Sequence, residues 1–249
     1  MRRGIAYAGI IGLLMLVGPG TFAQIDPSFT TDFRLEDCTF SAWGKNPYFS
    51  LVPGHELELE GDDDGELLEL EIEVLHRTRW VSFTLPSRKR MRVNTRVVQE
   101  TEWVDGELAE ISRNFFARCI QTNSIFYFGE EVDIYEDGEI VSHDGAWIAG
   151  VNGALPGLIM PGTFLLGSKY YQEIAPGVAL DQGTNTAMGL TVEVEAGTFH
   201  NCVEVIDTNG LNPGGSGDTK IYCPGIGLVI DEAAELTEYE IGGRRHDDD

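Results

Sequence analysis

The chain is poor in positive charge. Its 249 residues hold 17 Lys and Arg against 41 Asp and Glu, a formal charge of −24. A surface of that sign repels nucleic acid and anionic membrane, so neither is expected as a partner. Long apolar runs are missing too. The longest, residues 4–17, spans about 14 residues, whereas a membrane-spanning helix needs ~20, so no membrane span is expected. No Asn-x-Ser/Thr acceptor occurs, nor His-Glu-x-x-His, a P-loop, a dinucleotide fingerprint or Gly-x-Ser-x-Gly; Gly214-Gly215-Ser216-Gly217 has the wrong spacing for the last. Cysteine is scarce, with no Cys-x-x-Cys and scattered histidines, which argues against a zinc site. No motif names an activity, and the chain reads more easily as a binding protein than as an enzyme.

What is present begins with a leader. Met1-Arg2-Arg3 is a short basic start, residues 4–17 are apolar, and Gly18-Pro19-Gly20-Thr21-Phe22-Ala23 breaks any helix and ends on a small residue. That layout predicts a secretory signal peptide over residues 1–23, cleaved between Ala23 and Gln24. Arg2-Arg3 reads as an ordinary basic start rather than a twin-arginine signal. The expected location is exported, periplasmic or extracellular, where disulfides persist. A lipid anchor would need a cysteine at the cleavage point, and the first, Cys38, lies far beyond it. The leader takes two basic residues and no acid with it, leaving 15 basic against 41 acidic residues, a net −26. With 42% apolar and 10% aromatic residues, the rest is no disordered acidic tail.

Period-two alternation dominates the remainder of the chain. Residues 24–54 read as an irregular N-terminal segment, with Tyr48-Phe49-Ser50-Leu51 as a short edge strand. From His55, Leu57 and Leu59 alternate with Glu56, Glu58 and Glu60; beyond Gly61-Asp62-Asp63-Asp64-Gly65, Leu68, Leu70, Ile72 and Val74 alternate with Glu69, Glu71 and Glu73. This predicts a hairpin with one wet, glutamate-lined face, against the helix propensity of Leu and Glu. Asp105-Gly106 and Asp137-Gly138 predict two further tight hairpins. Residues 143–183 are rich in Gly and Pro and form either a flap or a stretch broken up by short strands such as 169–174. The expected fold is all-β with little helix: an antiparallel meander forming a strongly curved sheet, a barrel or a sandwich, in a single domain over residues 55–241, followed by a disordered tail, 242–249.

Four cysteines allow three pairings. Strands near 198–206 and 219–230 flank the turn Asn212-Pro213-Gly214-Gly215, and partners across an antiparallel hairpin share a constant sum, which sets Cys202 opposite Cys223. Cys38–Cys119 follows by elimination. Free buried thiols are the alternative.

The C-terminal stretch Glu195-Ala196-Gly197-Thr198-Phe199, Cys202-Val203-Glu204-Val205 and Tyr222-Cys223-Pro224-Gly225-Ile226-Gly227-Leu228-Val229 resembles a hairpin of uncharacterised exported bacterial β-proteins. The runs Gly129–Tyr135 and Ala146–Gly150 are similar to one such family of unknown function. The likeness covers residues 40–240 and implies a secreted, sheet-based bacterial domain. It implies no activity. Plain packing also accounts for the hairpin: Gly197, Gly225 and Gly227 permit close backbone approach, and Phe199, Val203 and Val205 pack.

Candidate chemistry is sparse. Trp147, Met160, Phe164, Tyr170 and Tyr171 lie in or beside the Gly/Pro-rich stretch and are expected to line a ligand pocket at a barrel mouth, or to cap the core. Asp62, Asp63 and Asp64 offer hard oxygen ligands for weak Ca²⁺ binding without an EF-hand pattern; a solvated hairpin tip explains them as well. No other cofactor is expected. His143-Asp144 beside Trp147 suits acid–base chemistry, although a turn histidine bonded to backbone is the default. Glu130/Glu131 and Glu100/Glu102 are candidate carboxylate pairs for glycoside hydrolysis. The leading expectation is non-catalytic binding of a small or apolar ligand. The alternatives are a secreted hydrolase on polysaccharide and a structural surface-assembly component.

Overall fold

Residues 25–63 and 65–243 are described by a computed structural model. The expected leader, Asp64 and residues 244–249 of the expected tail lie outside the described residues. Little regular structure precedes residue 56. A 3-10 turn, Leu35–Asp37, is followed by three two-residue strands: β1 (Phe40–Ser41), β2 (Lys45–Asn46) and β3 (Phe49–Ser50). The alternating sequence then takes over. β4 (Glu56–Asp63) and β5 (Glu66–Thr84) form the expected hairpin, with Leu57, Leu59 and Leu68 buried. β6 (Arg90–Val104) and β7 (Glu107–Cys119) come next, then β8 (Ile125–Glu136) and β9 (Glu139–Ser142). The turns at Asp105-Gly106 and Asp137-Gly138 take φ of 52° and 75°, and of 52° and 79°. Positive φ at both positions matches the right-handed twist of the flanking strands.

The Gly/Pro-rich stretch is broken up by short strands: β10 (Trp147–Ile148), β11 (Leu155–Met160), β12 (Lys169–Tyr171) and β13 (Glu173–Ile174). Long strands return with β14 (Asp181–Val194), β15 (Gly197–Asn209), β16 (Asp218–Cys223), β17 (Gly227–Asp231) and β18 (Ala234–Glu240). Strand makes up 63% of the chain and helix 1%, so the class is all-β, and the large antiparallel sheet is nearly closed and barrel-shaped. Its order runs β12-β14-β15-β16-β17-β18-β4-β5-β6-β7-β8-β11-β13. The two ends of that order are neighbours in sequence. β12 pairs with β14, β13 pairs with β11, and Gln172 alone separates them. The chain therefore switches partners within one residue and brings the two edges together. A Cβ at Gly157 of β11 would stand 2.4 Å from the Gln172 carbonyl oxygen, so only glycine permits this seam.

Both expected disulfides are present. β15 and β16 pair with the expected sum, as in Val203 opposite Tyr222, and the Cα atoms of Cys202 and Cys223 are 4.2 Å apart. Cys38–Cys119 fastens the N-terminal segment to the end of β7, where Phe40 pairs with Cys119.

The β5–β6 hairpin does not stay in the barrel wall. Its register shifts between Val74 and Thr78, and bulges of this kind bend a strand. The buried Arg96 guanidinium takes up a carbonyl freed there, donating to the His76 oxygen at 2.9 Å, and also donates to the Ala42 carbonyl oxygen of the N-terminal segment at 2.8 Å. Beyond the bulge, residues 78–95 form an arm that lies against outward-facing aromatics of β7 and β8. Phe83 meets Phe128 at 5.7 Å between ring centroids, and the Arg79 guanidinium lies 4.5 Å over Phe115. Phe115 and Phe128 are fully buried under this second layer, while Phe116 and Tyr127 are fully buried on the inner face. Each such side chain contributes ~1.5–3 kcal/mol, so both faces of β7–β8 are held by apolar burial.

Candidate functional site: an acidic barrel interior

Directly paired residues share a face of the sheet, and the registers carry carboxyls inward. Ile72 of β5 stands opposite Glu100, and Glu100 opposite Ser112; Leu70 stands opposite Glu102, and Glu102 opposite Glu110; Asn114 stands opposite Glu130. A cavity of about 50 Å³ has Ile72, Glu100 and Phe116 on one wall and Lys220, Tyr222 and Asp231 on the other. These walls come from distant strands of the order, which places the cavity inside the barrel. Glu100 keeps some accessible surface because it lines this space.

Hydrogen bonds fix the polar groups. The Tyr127 hydroxyl donates to Asn114 Oδ1, and Asn114 Nδ2 donates to Ser112 Oγ at 3.2 Å. The Tyr170 hydroxyl donates to Asn185 Oδ1 at 3.0 Å, and Gln172 Nε2 donates to Asp207 Oδ1 at 2.7 Å. Lys220 Nζ reaches both carboxylate oxygens of Asp231, at 2.6 and 2.7 Å. Glu102 Oε1, Glu110 Oε2 and Glu173 Oε2 are buried and find no hydrogen-bond partner among the described residues. A buried polar atom left in that state costs ~1–3 kcal/mol.

Burial governs the charge of these groups. It pushes Glu102 up to about 7, with Asp231 adding, and Glu110 up to about 8, with Glu102 and Glu100 adding. Glu100 is raised to about 7 by burial against the pull of Lys220, and Asp207 likewise to about 7. Asp181 rises to about 6 by burial. Glu130 and Glu173 are held well above the carboxylate range, again chiefly by burial. Burial would lower Lys220, but Asp231, Tyr222 and Asp207 outweigh it and raise the ammonium. Near neutral pH the interior therefore holds partly protonated acids around one paired lysine.

The structure does not bring the five expected ligand residues together. All are buried. Trp147 stands opposite Glu130 and meets Tyr127 edge-on at 5.1 Å, its Nε1 without a partner. Tyr170 joins the interior network through Asn185. Met160 and Phe164 belong to the main core, and Phe164 meets Tyr48 at 6.1 Å. Tyr171 belongs to a separate apolar cluster with Ile174 and Leu180, and its hydroxyl accepts from the Asp26 amide. Asp62 and Asp63 are exposed at the hairpin tip, and Asp62 Oδ1 accepts from the Gly65 amide. Among the described residues, no group of three or more His, Cys, Asp or Glu is arranged to hold a metal ion. His143 Nδ1 lies 2.8 Å from the Val132 carbonyl oxygen and 3.0 Å from Asp133 Oδ1, a turn histidine tied to its neighbours.

Of the candidate carboxylate pairs, Glu100 and Glu102 both belong to this interior. Glu130 points in, whereas Glu131 pairs with Arg79 outside. Glu110, Glu173, Asp181 and Asp207 carried no signal of their own in the sequence. Glu100 and Glu102 did, because they share the parity of the apolar Val98 and Val104 along β6.

No family model matches the chain, and neither any curated protein nor any solved structure does. Among the described residues, no helix is long and apolar enough to cross a membrane.

Proposed function

We propose that this chain is a non-catalytic binding protein, exported to the periplasm or the extracellular space, whose acidic interior takes a small cationic ligand. The observation that carries the proposal is the set of buried carboxyl oxygens on Glu102, Glu110 and Glu173 that no donor among the described residues satisfies, in an interior whose Lys220 is paired with Asp231. A small ammonium ion supplies both donors and positive charge. The cavity of about 50 Å³ is lined by the carboxyls of Glu100 and Asp231, not by those three, and its size suits an ion such as ammonium or methylammonium; Glu102 follows Glu100 on the same face of β6. The two disulfides suit an oxidising compartment.

Calorimetric titration with methylammonium chloride tests this. Binding is expected to tighten at least ~10-fold from pH 6 to pH 8.5, as carboxyls near 7 to 8 ionise, with proton release below pH 8. Glu110→Gln is expected to weaken binding and reduce the proton release. Absence of binding at millimolar ligand at either pH overturns the reading. The hydrolase alternative needs two carboxyls facing an open cleft. Glu102 and Glu110, directly opposite each other, are only 4% and 7% exposed, which favours binding over cleavage of a polymer.

An apolar ligand has its own support. A groove of about 430 Å³ runs between Phe33, Leu35, Leu85, Leu155 and Ile174, within the range of small-molecule sites. Fluorescence enhancement of an apolar dye, abolished by Leu155→Glu, tests that second reading; no enhancement rejects it.

A further inference from the structure

Basic residues are concentrated in one place. Between Glu73 and Glu100 there is no acid, and the 26 residues hold Arg77, Arg79, Arg88, Lys89, Arg90, Arg92 and Arg96, seven of the 17 basic residues in the chain. This segment contains the arm. Arg79 and Arg96 are consumed in holding it, and Lys89 donates to the Glu36 carbonyl oxygen. Arg77, Arg88 and Arg90 make no ion pair among the described residues. The Arg92 guanidinium lies 4.4 Å over the ring of Trp80, and Trp80 is 57% exposed. Arg90 and Arg92, with Ser82 and Thr84, border an open groove of about 660 Å³. The arm thus presents arginines and a tryptophan to solvent, side chains that dominate protein interfaces when buried.

The opposite charge is arranged just as regularly. Across β18, β4 and β5, glutamates stand directly opposite one another in three rows: Glu235-Glu60-Glu69, Glu238-Glu58-Glu71 and Glu240-Glu56-Glu73. Like charges so placed destabilise a sheet. Setting Glu240 aside, none of these glutamates is in an ion pair among the described residues. An open groove of about 390 Å³ lies between Glu58, Glu60, Glu69, Glu71 and Trp103.

We propose that the occupant of the glutamate rows is the basic arm of a second copy of this chain. The spacings agree. Alternate residues of a strand stand ~6.8 Å apart, both for Glu69, Glu71 and Glu73 and for Arg90 and Arg92. Both surfaces lie on the β5–β6 hairpin or beside it, acidic before the bulge and basic beyond it. Two copies related by a two-fold axis therefore make the contact twice. An anionic polymer on the arm would leave the glutamate rows without a counter-charge; a second copy neutralises both. The proposal is independent of the interior site.

Salt sets a clear signature. Each copy carries a large net negative charge, so long-range repulsion opposes association at low ionic strength. At ~0.15 M salt the screening length falls to ~8 Å, which quiets that repulsion but spares pairs in contact; near 1 M the contacts fail as well. Sedimentation equilibrium of the purified chain is expected to show dimerisation that is weak at 10 mM NaCl, strongest near 150 mM and lost at 1 M. The double variants R90E/R92E and E58R/E71R are each expected to raise the dimer dissociation constant at least 10-fold alone. Mixed together they restore it, because each then meets its opposite. On the unaltered protein, zero-length carbodiimide coupling is expected to join Lys89 to glutamates of the rows between copies only. A monomer at every salt concentration, a dimer indifferent to both variants, or a monomer whose arm instead captures heparin or DNA overturns the proposal.

Discussion

Two sets of glutamates in this molecule live under opposite rules. Glu100, Glu102 and Glu110 face the interior, and loss of water is the first cause of their raised affinity for protons. Glu58, Glu69 and Glu71 stand on the outer face of β4 and β5, where water and salt shield them and each glutamate faces its like across the strand. Glu71 is raised, by burial first and then by Glu73 and Glu58. The same side chain therefore answers to pH inside the barrel and to ionic strength outside it.

The largest break in that symmetry is expected from pH. The interior carboxyls bind protons more tightly folded than unfolded, so stability is full at low pH, where both states are protonated. It declines once pH passes the ordinary carboxylate range near 4.5; for the groups with folded values of about 6 to 8 the loss is complete above those values, and Glu130 and Glu173, held higher, extend it into alkali. Thermal unfolding followed by circular dichroism is expected to show a midpoint ~10 °C or more lower at pH 9 than at pH 5. A midpoint that rises over this interval would mean the carboxyls are not buried in the folded protein.

Next in size is the interior lysine. Lys220→Met leaves Asp231 without its partner and is expected to cost ~3–5 kcal/mol at pH 7 by urea titration, with Asp231→Asn added to it recovering most of the loss. Equal losses for the single and double variants would show that the pair is solvated.

Glu110→Gln should gain ~1–3 kcal/mol at pH 9, gain little at pH 5 and flatten the dependence between them. The smallest effect belongs outside. Glu71→Gln is expected to stabilise the fold by ~0.2–1 kcal/mol in 10 mM salt and by nothing measurable in 1 M. A salt-independent gain would assign the effect to packing rather than to charge.

The hairpins were legible because their turns carry chemistry: Asp-Gly at two tips, and a constant sum linking Cys202 to Cys223. The glutamate-lined face was legible because leucine or isoleucine alternates with glutamate without exception from Leu68 to Glu73. The inward acids were harder. Alternation says which residues share a side, not which side is enclosed, and only the pairing of β6 with β7 aligns Glu102 with Glu110. The arm was not legible at all. The apolar parity does switch, from Leu68, Leu70, Ile72 and Val74 to Val81, Phe83 and Leu85, but that switch does not say where the strand then goes, and the link between Arg96 and carbonyls at positions 42 and 76 joins residues remote in sequence. Trp147, Met160 and Phe164 share the main core, since β10 and β11 both pair with β8, whereas β12 pairs with β14 and carries Tyr170 and Tyr171 away, to the interior network and to a separate apolar cluster.

The seam at Gln172 has a mechanical consequence. A cylinder fastened along one line by strands of three and two residues yields there before it yields anywhere else. Glu173 stands beside that line and Glu130 in the wall next to it; burial holds the proton on each, and Glu130 adds to Glu173's reluctance to give it up. Stripping both protons would set two like charges face to face across the thinnest part of the shell. Alkali is thus a key cut for this one latch, and acid keeps it shut.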